Sequence, residues 1–156
     1  MIFLQRYLDL ESLRHHNSFD YSIKVDETID TDFETIPPML IQPIVENAIK
    51  HGLVPRGSRG TLSIRFQMAE EDLICIVEDN GVGKNQATAT KLSSHHSIST
   101  EVNEARLKLM SEQQKLKEKY RIDIEDKYDV NHVSSGTKVV IFFSTASVKT
   151  EFARHD

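Results

Sequence analysis

No stretch of this 156-residue sequence approaches the roughly twenty consecutive apolar residues needed to cross a bilayer. Its start, Met1-Ile2-Phe3-Leu4-Gln5-Arg6, also lacks the charged-then-apolar order of a signal peptide. The chain therefore reads as soluble. Cysteine is nearly missing. The single Cys75 has no disulfide partner and sits within the apolar run Leu73-Ile74-Cys75-Ile76-Val77, which predicts a small buried hydrophobe in a reducing compartment. A basic surface is missing too: 19 Lys and Arg against 24 Asp and Glu give a formal net charge of −5, and the cations are scattered. That pattern excludes a protein that neutralises many phosphates, so no nucleic-acid partner is expected. A single polyanionic ligand stays within reach, since backbone amides, a bridging metal and one or two local cations suffice to hold it.

What the chain does contain is enough for one core: 38% of its residues are apolar and 28% charged, which at this length predicts one globular domain. From Phe3 to His16, Leu4, Tyr7, Leu8 and Leu13 recur at near-helical spacing with Glu11 and Arg14 assigned to the opposite side, an amphipathic helix. The helix has no N-cap of its own and reads as a continuation of an upstream segment, with an ordinary N-terminal helix as the alternative. Tyr21 to Asp26 alternate as a half-buried strand. A second helix is predicted from Pro37-Pro38 to about His51, stopped by Gly52, with Pro43 either kinking it or marking its true first turn. The runs Thr61–Phe66 and Leu73–Glu78, joined by Glu70-Glu71-Asp72, predict a hairpin. Residues from Lys84 to about Thr100 are small and polar, and read as a mobile lid. A third helix is predicted from about Thr100 to Lys119, then strands Tyr120–Glu125 and Lys138–Phe143. Residues 145–156 carry no folding pattern and are expected to be a disordered tail. With no alternating βαβ series, the order favours an α+β fold: a two-layer sandwich with a mixed sheet and its helices on one face.

Three clusters carry chemistry. Helical geometry over residues 42–52 groups Glu46, Asn47, Lys50 and His51 on one side and Ile44, Val45, Ala48 and Ile49 on the other. Taken alone, that polar stripe reads first as a solvated helix face. Asp79-Asn80-Gly81-Val82-Gly83 follows a strand; its glycines permit a sharp turn and close ligand approach, while Asp79 can accept a hydrogen bond from an exocyclic amine. Alone, this group is also an ordinary turn. Ser134-Ser135-Gly136-Thr137 reads as a turn immediately ahead of the closing strand. Three of the six glycines, Gly81, Gly83 and Gly136, fall in the two candidate binding turns.

The string Ile36-Pro37-Pro38-Met39-Leu40-Ile41-Gln42-Pro43-Ile44-Val45-Glu46-Asn47-Ala48-Ile49-Lys50-His51-Gly52 resembles the N box of sensor histidine kinases of the LytS-like class. These belong to the superfamily that also holds gyrase, the heat-shock chaperone and the mismatch-repair ATPases. Tyr7 to Arg14 resembles the helix preceding that box, Asp79 to Gly83 the G1 box, and Gly136-Thr137 the glycine-threonine that closes the nucleotide site. The resemblance implies the Bergerat fold, with ATP between the helices under a flexible lid. It implies that Asn47 coordinates magnesium, that Lys50 and His51 lie near the phosphates, and that Asp79 binds the adenine amino group. Gly81 and Gly83 would leave room for adenine and the lid, Thr137 would support Asp79 directly or through a water, and Glu46 would have a structural or polarising role. It further implies residues 17–144 as the ATP-binding domain and residues 1–16 as a helix leading from upstream dimerisation and phosphoacceptor helices. The whole protein would be a membrane-bound sensor passing phosphate to a response regulator, with this domain on the cytoplasmic side and monomeric when isolated.

Two departures qualify the match. Ser99 stands where the class carries a glycine at the end of the lid, although Arg106-Leu107 resembles the arginine-leucine pair that follows. None of His15, His16, His51, His95, His96, His132 and His155 has the surroundings of the phosphoacceptor, so ATP binding without autophosphorylation is expected. A second reading, an ATP hydrolase, needs a carboxylate one helical turn before Asn47, where this chain has Pro43. A third reading, an interaction module that has lost catalysis, has only Ser99 in its favour.

Overall fold

The computed structural model describes residues 2–30, 36, 38–70, 72–83 and 120–144. The expected lid with Ser99, the expected third helix with Arg106-Leu107, and the expected tail lie outside these residues. The described elements are α1 (Ile2–Arg14), β1 (Phe19–Val25), α2 (Pro38–Asn47), β2 (Gly60–Ala69), β3 (Asp72–Asp79), β4 (Tyr120–Tyr128) and β5 (Ser134–Ser144). A π-helical turn, Ala48–Leu53, and a 3-10 turn, Val54–Arg56, extend α2 toward β2.

The strands form one mixed sheet in the order β1-β2-β3-β5-β4. β1 and β2 are parallel because a helical connection separates them, whereas the other pairs are antiparallel. The expected hairpin is present, with Ala69 opposite Asp72 and Glu70 held at φ 56° in the turn. Strand alternation decides which residues meet the helices. Phe19, Leu62, Ile64, Phe66, Leu73, Cys75, Val77, Ile141 and Phe143 join Leu8, Leu40, Ile41, Ile44, Val45, Ile49 and Leu53 in one buried cluster. The helices thus cover one face of the sheet, as the α+β expectation held. Cys75 is fully buried and its thiol is pushed up to about 12 by desolvation, as a packing residue requires.

On the other face the side chains form an ionic lattice. Glu78 accepts from Arg65 at 3.0 Å and pairs with Lys127 at 2.7 Å, Lys138 pairs with Glu125 at 3.2 Å, and the Arg121 guanidinium lies 4.0 Å from the Phe142 ring centroid.

Three sequence expectations change. On α1, Leu4, Tyr7 and Leu8 face the core as predicted, but Glu11 is buried with them while Leu13 is 66% exposed. At 100° per residue, Glu11 continues the Leu4-Tyr7-Leu8 face, and Leu13 belongs to the outer side with Ile2, Phe3 and Leu10. Glu11 pairs with Arg14 at 3.4 Å, and His15 Nε2 lies 3.5 Å from its other oxygen. Second, Gly52 does not stop the second helix. The helix widens into the π turn, where the N–H of Val54 donates to the Ile49 carbonyl, and Gly52 is buried inside it. Pro43 lies within α2, not at its start. Third, β5 begins at Ser134, so Gly136 and Thr137 are strand residues paired with Lys127 and Asp126.

Because Leu8 is fully buried between α1 and the core, Leu8→Ala is expected to cost about 2–4 kcal/mol. A thermal melt lowered by no more than a degree or two would show that α1 does not dock as described.

Candidate functional site

The site forms where the helix continuing α2 meets the ends of β3 and β5. Glu78 and Asp79 are adjacent acids, but the pleat sends them to opposite faces. Glu78 turns to the ionic lattice, where the Lys127 ammonium foremost, with Arg65 and Lys138, holds its carboxyl below the ordinary value. Asp79 turns inward and is only 4% exposed. Desolvation pushes its carboxyl above the ordinary value, against the backbone N–H groups of Gly81 and Thr137, which favour the charged form. Gly81 N–H donates to Asp79 Oδ1 at 2.7 Å. A buried carboxylate held by two main-chain donors is a pre-aligned acceptor.

Glycine makes this packing feasible. A Cβ on Gly81 would stand 2.2 Å from the carbonyl carbon of Gly52 and 2.4 Å from its Cα, and the neighbouring Val82 N–H donates to the Gly52 carbonyl at 3.1 Å. Gly136, at φ +129°, would place a Cβ 2.1 Å from the Asp79 carbonyl oxygen. Gly83 and Ser134 meet as closely, since a Cβ on Gly83 would reach 1.9 Å from Ser134 Oγ. Segments far apart in sequence thus touch backbone to backbone around one carboxylate.

Of the residues singled out from sequence, Asp79, Gly81, Gly83, Gly136 and Thr137 come together here. Glu46, Asn47, Lys50 and His51 lie along the helix whose extension reaches the same place at Gly52. Ile44, Val45 and Ile49 are buried on its other side, as the stripe predicted. Lys50 and Glu46 form an ion pair one turn apart, with Lys50 the more exposed. Glu46 also acts on Tyr7, whose hydroxyl is pushed up to about 12, first by burial and then by the charges of Glu11 and Glu46. α1 therefore lies alongside the polar stripe.

Four further residues take part in the site: Gly52, Asn80 and Ser134, which stand within the sequence clusters without a role of their own, and Arg56, which no cluster contains. Gly52 looked like a helix stop and is the surface on which the Asp79 turn rests. Asn80 looked like a turn residue, yet its Oδ1 accepts from Thr61 N–H at 2.7 Å and its own N–H donates to the Thr61 carbonyl at 3.2 Å. Arg56 donates to the Asn80 carbonyl. Ser134 fills the space left by Gly83. No local pattern gives any of them its role, because each is defined by a partner more than fifteen residues away.

Among the described residues no group of three or more His, Cys, Asp or Glu is placed to hold a metal unaided. Asn47, half-buried at the last residue of α2, suits a hard cation that keeps most of its ligands as water and substrate phosphate. No described helix is long and apolar enough to cross a membrane.

The fold is that of histidine kinase catalytic domains. The catalytic domain of the histidine kinase ThkA superposes with a TM-score of 0.56 over 88% of this chain and 86% of its own, at 14% identity. A mycobacterial sensor histidine kinase, MprB, gives 0.56 over 89% of each chain, also at 14% identity. In sequence, the chain is similar to the sensor protein LytS of Oceanobacillus iheyensis, 39% identical over 80 residues. It is also 32% identical over 88 residues to the sensor protein kinase HptS of Staphylococcus aureus. These matches cover 51% and 54% of this chain but only 13% and 16% of the relatives' lengths. No protein-family profile matches the chain.

Proposed function

We propose that this chain is the ATP-binding catalytic domain of a sensor histidine kinase of the LytS type, delivering the γ-phosphoryl group of ATP to a histidine outside the chain for relay to a response regulator. The observation that carries this reading is the buried Asp79 carboxylate, aligned by the amides of Gly81 and Thr137 at a sheet end cleared by glycines. A carboxylate so placed accepts from the exocyclic amine of adenine and rejects a base that presents a carbonyl there. Asn47 would hold magnesium through its amide oxygen, and the metal when bound would supply charge neutralisation at the phosphates. Lys50 would add positive charge beside them, and Glu46, tied to Lys50, would set where that charge lies. His51 would lie in the same region. In the transfer itself the bond from γ-phosphorus to the bridging oxygen breaks, a phosphorus–nitrogen bond forms to the acceptor imidazole, and ADP leaves.

The outer side of α1, with Ile2, Phe3, Leu10 and Leu13 all more than 60% exposed, is where upstream dimerisation and phosphoacceptor helices would pack. The domain would work on the cytoplasmic side of a membrane-bound sensor.

Calorimetric titration of ATP with and without magnesium tests the reading. The wild-type chain is expected to bind ATP more tightly with the metal, and Asn47→Ala to remove most of that gain, on the order of tenfold in Kd, while sparing metal-free binding. Failure of the wild-type chain to bind at millimolar ATP would overturn the proposal and favour an interaction module.

A further inference from the structure

We propose that Arg56 is a positioning residue for base recognition, holding from outside the one peptide unit whose inner end orients Asp79. The inference rests on the nucleotide-site reading above. Arg56 ends the 3-10 turn Val54–Arg56, and Gly57, at φ +69°, turns the chain toward β2. From there the guanidinium reaches across 24 residues of sequence: Nη1 donates to the Asn80 carbonyl, while Nε donates to Ser58 Oγ at 3.0 Å. The Asn80 carbonyl and the Gly81 N–H belong to the same peptide bond. They lie in one plane and point in opposite directions. Arg56 therefore grips one end of that unit while the other end donates to Asp79 Oδ1 at 2.7 Å.

The Asn80 side chain and N–H are both fixed to Thr61, so the residue cannot pivot about its own Cα without breaking the end of the β2–β3 pairing. With that anchor in place, rotation of the 80–81 peptide is the remaining freedom by which the Gly81 N–H could swing away from Asp79. The Arg56 contact opposes that rotation. A cation on the carbonyl also polarises the amide and strengthens its N–H as a donor to the carboxylate. Arginine suits the task better than a flexible ammonium, because its planar fork holds Ser58 and Asn80 together. Arg56 itself is exposed. Its effect would reach the base through the 80–81 peptide.

The experiment compares wild type, Arg56→Met, which keeps an unbranched apolar side chain, and Arg56→Lys by ATP calorimetry with and without magnesium, thermal melting, and the NMR shift of the Gly81 amide. Arg56→Met is expected to weaken ATP binding by about three- to tenfold, by the same factor with and without magnesium. The melting temperature is expected to stay within about two degrees, as for other exposed positions. The Gly81 amide proton should move upfield as its bond to Asp79 loosens, and Arg56→Lys, which keeps the charge but not the fork, should recover only part of the affinity. Unchanged affinity in Arg56→Met, a loss confined to the magnesium-bound titration, an unmoved Gly81 amide, or no recovery with lysine would overturn the inference while leaving the nucleotide reading intact. A wild-type chain that does not bind ATP would overturn both.

Discussion

Asp79→Asn is expected to weaken ATP binding by at least about 100-fold while leaving the domain folded. A hydrogen bond to a charged group contributes about 1.5–3 kcal/mol, and an asparagine that turns its NH2 toward the adenine amine sets donor against donor in a buried site. The Asp79 side chain has two main-chain donors to satisfy, Gly81 and Thr137, and an asparagine keeps one acceptor oxygen for them. Against that loss stands the release of a desolvated charge. Because the folded-state carboxyl is raised above its unfolded value, mainly by burial, the native state holds the Asp79 proton more tightly. That contribution to stability is fully present below the unfolded pKa and is lost as pH rises through the folded one. At neutral pH the wild type bears the cost and the variant does not. Melting temperatures within a few degrees of each other, with the variant gaining relative to wild type as pH rises, are the expected signature. A variant that binds ATP normally would remove Asp79 from base recognition. One that unfolds would show that the carboxylate serves the fold before it serves a ligand.

Gly81→Ala is expected to damage the domain far more than its one added methyl suggests, by about 3 kcal/mol or more. The new carbon would sit 2.2–2.5 Å from three backbone atoms of Gly52, and neither partner can yield by changing rotamer. Separating them would move Asp79 away from the π-helical turn, so nucleotide affinity should fall together with the melting temperature. Gly57→Ala is the internal control. Its Cβ would meet nothing within 4 Å, so only the cost of a left-handed alanine, about 1 kcal/mol, applies, and the site should be unaffected. Equal effects of the two substitutions on binding would refute the close-packing account.

Much of this architecture is legible from pattern alone. The alternation of Leu62, Ile64 and Phe66 against Leu73, Cys75 and Val77 marks two strands with a shared buried face, and the short polar segment between them allows only a hairpin. The stripe Ile44, Val45, Ile49 separates the buried from the polar side of the second helix because both helical periods, 3.6 and the wider π turn, return to nearly the same side within two turns. The spacing in α1 predicts the helix but misplaces one side of its buried face. Leucine at 13 and glutamate at 11 invite the opposite assignment, and only the docked position of Leu8 shows that Glu11 lies inside, with its carboxylate paired to Arg14 at 3.4 Å.

The residue types of the site, an aspartate at a strand end, glycines beside it and a glycine-threonine before a strand's apolar run, are written in local order, because turn chemistry and strand period act over a few neighbours. Their convergence is not. Which glycine is needed for close approach depends on what lies opposite: Gly52 behind Gly81, Asp79 behind Gly136 and Ser134 behind Gly83 are contacts across 29, 57 and 51 positions of the chain. The same holds for Arg56 and Asn80, and for the opposed fates of Glu78 and Asp79, one held charged by lysine and arginine, the other desolvated. Local sequence sets what a segment can be, through backbone sterics and side-chain periodicity. Burial, and with it the electrostatic character of a carboxylate, is a property of what the rest of the chain brings to cover it.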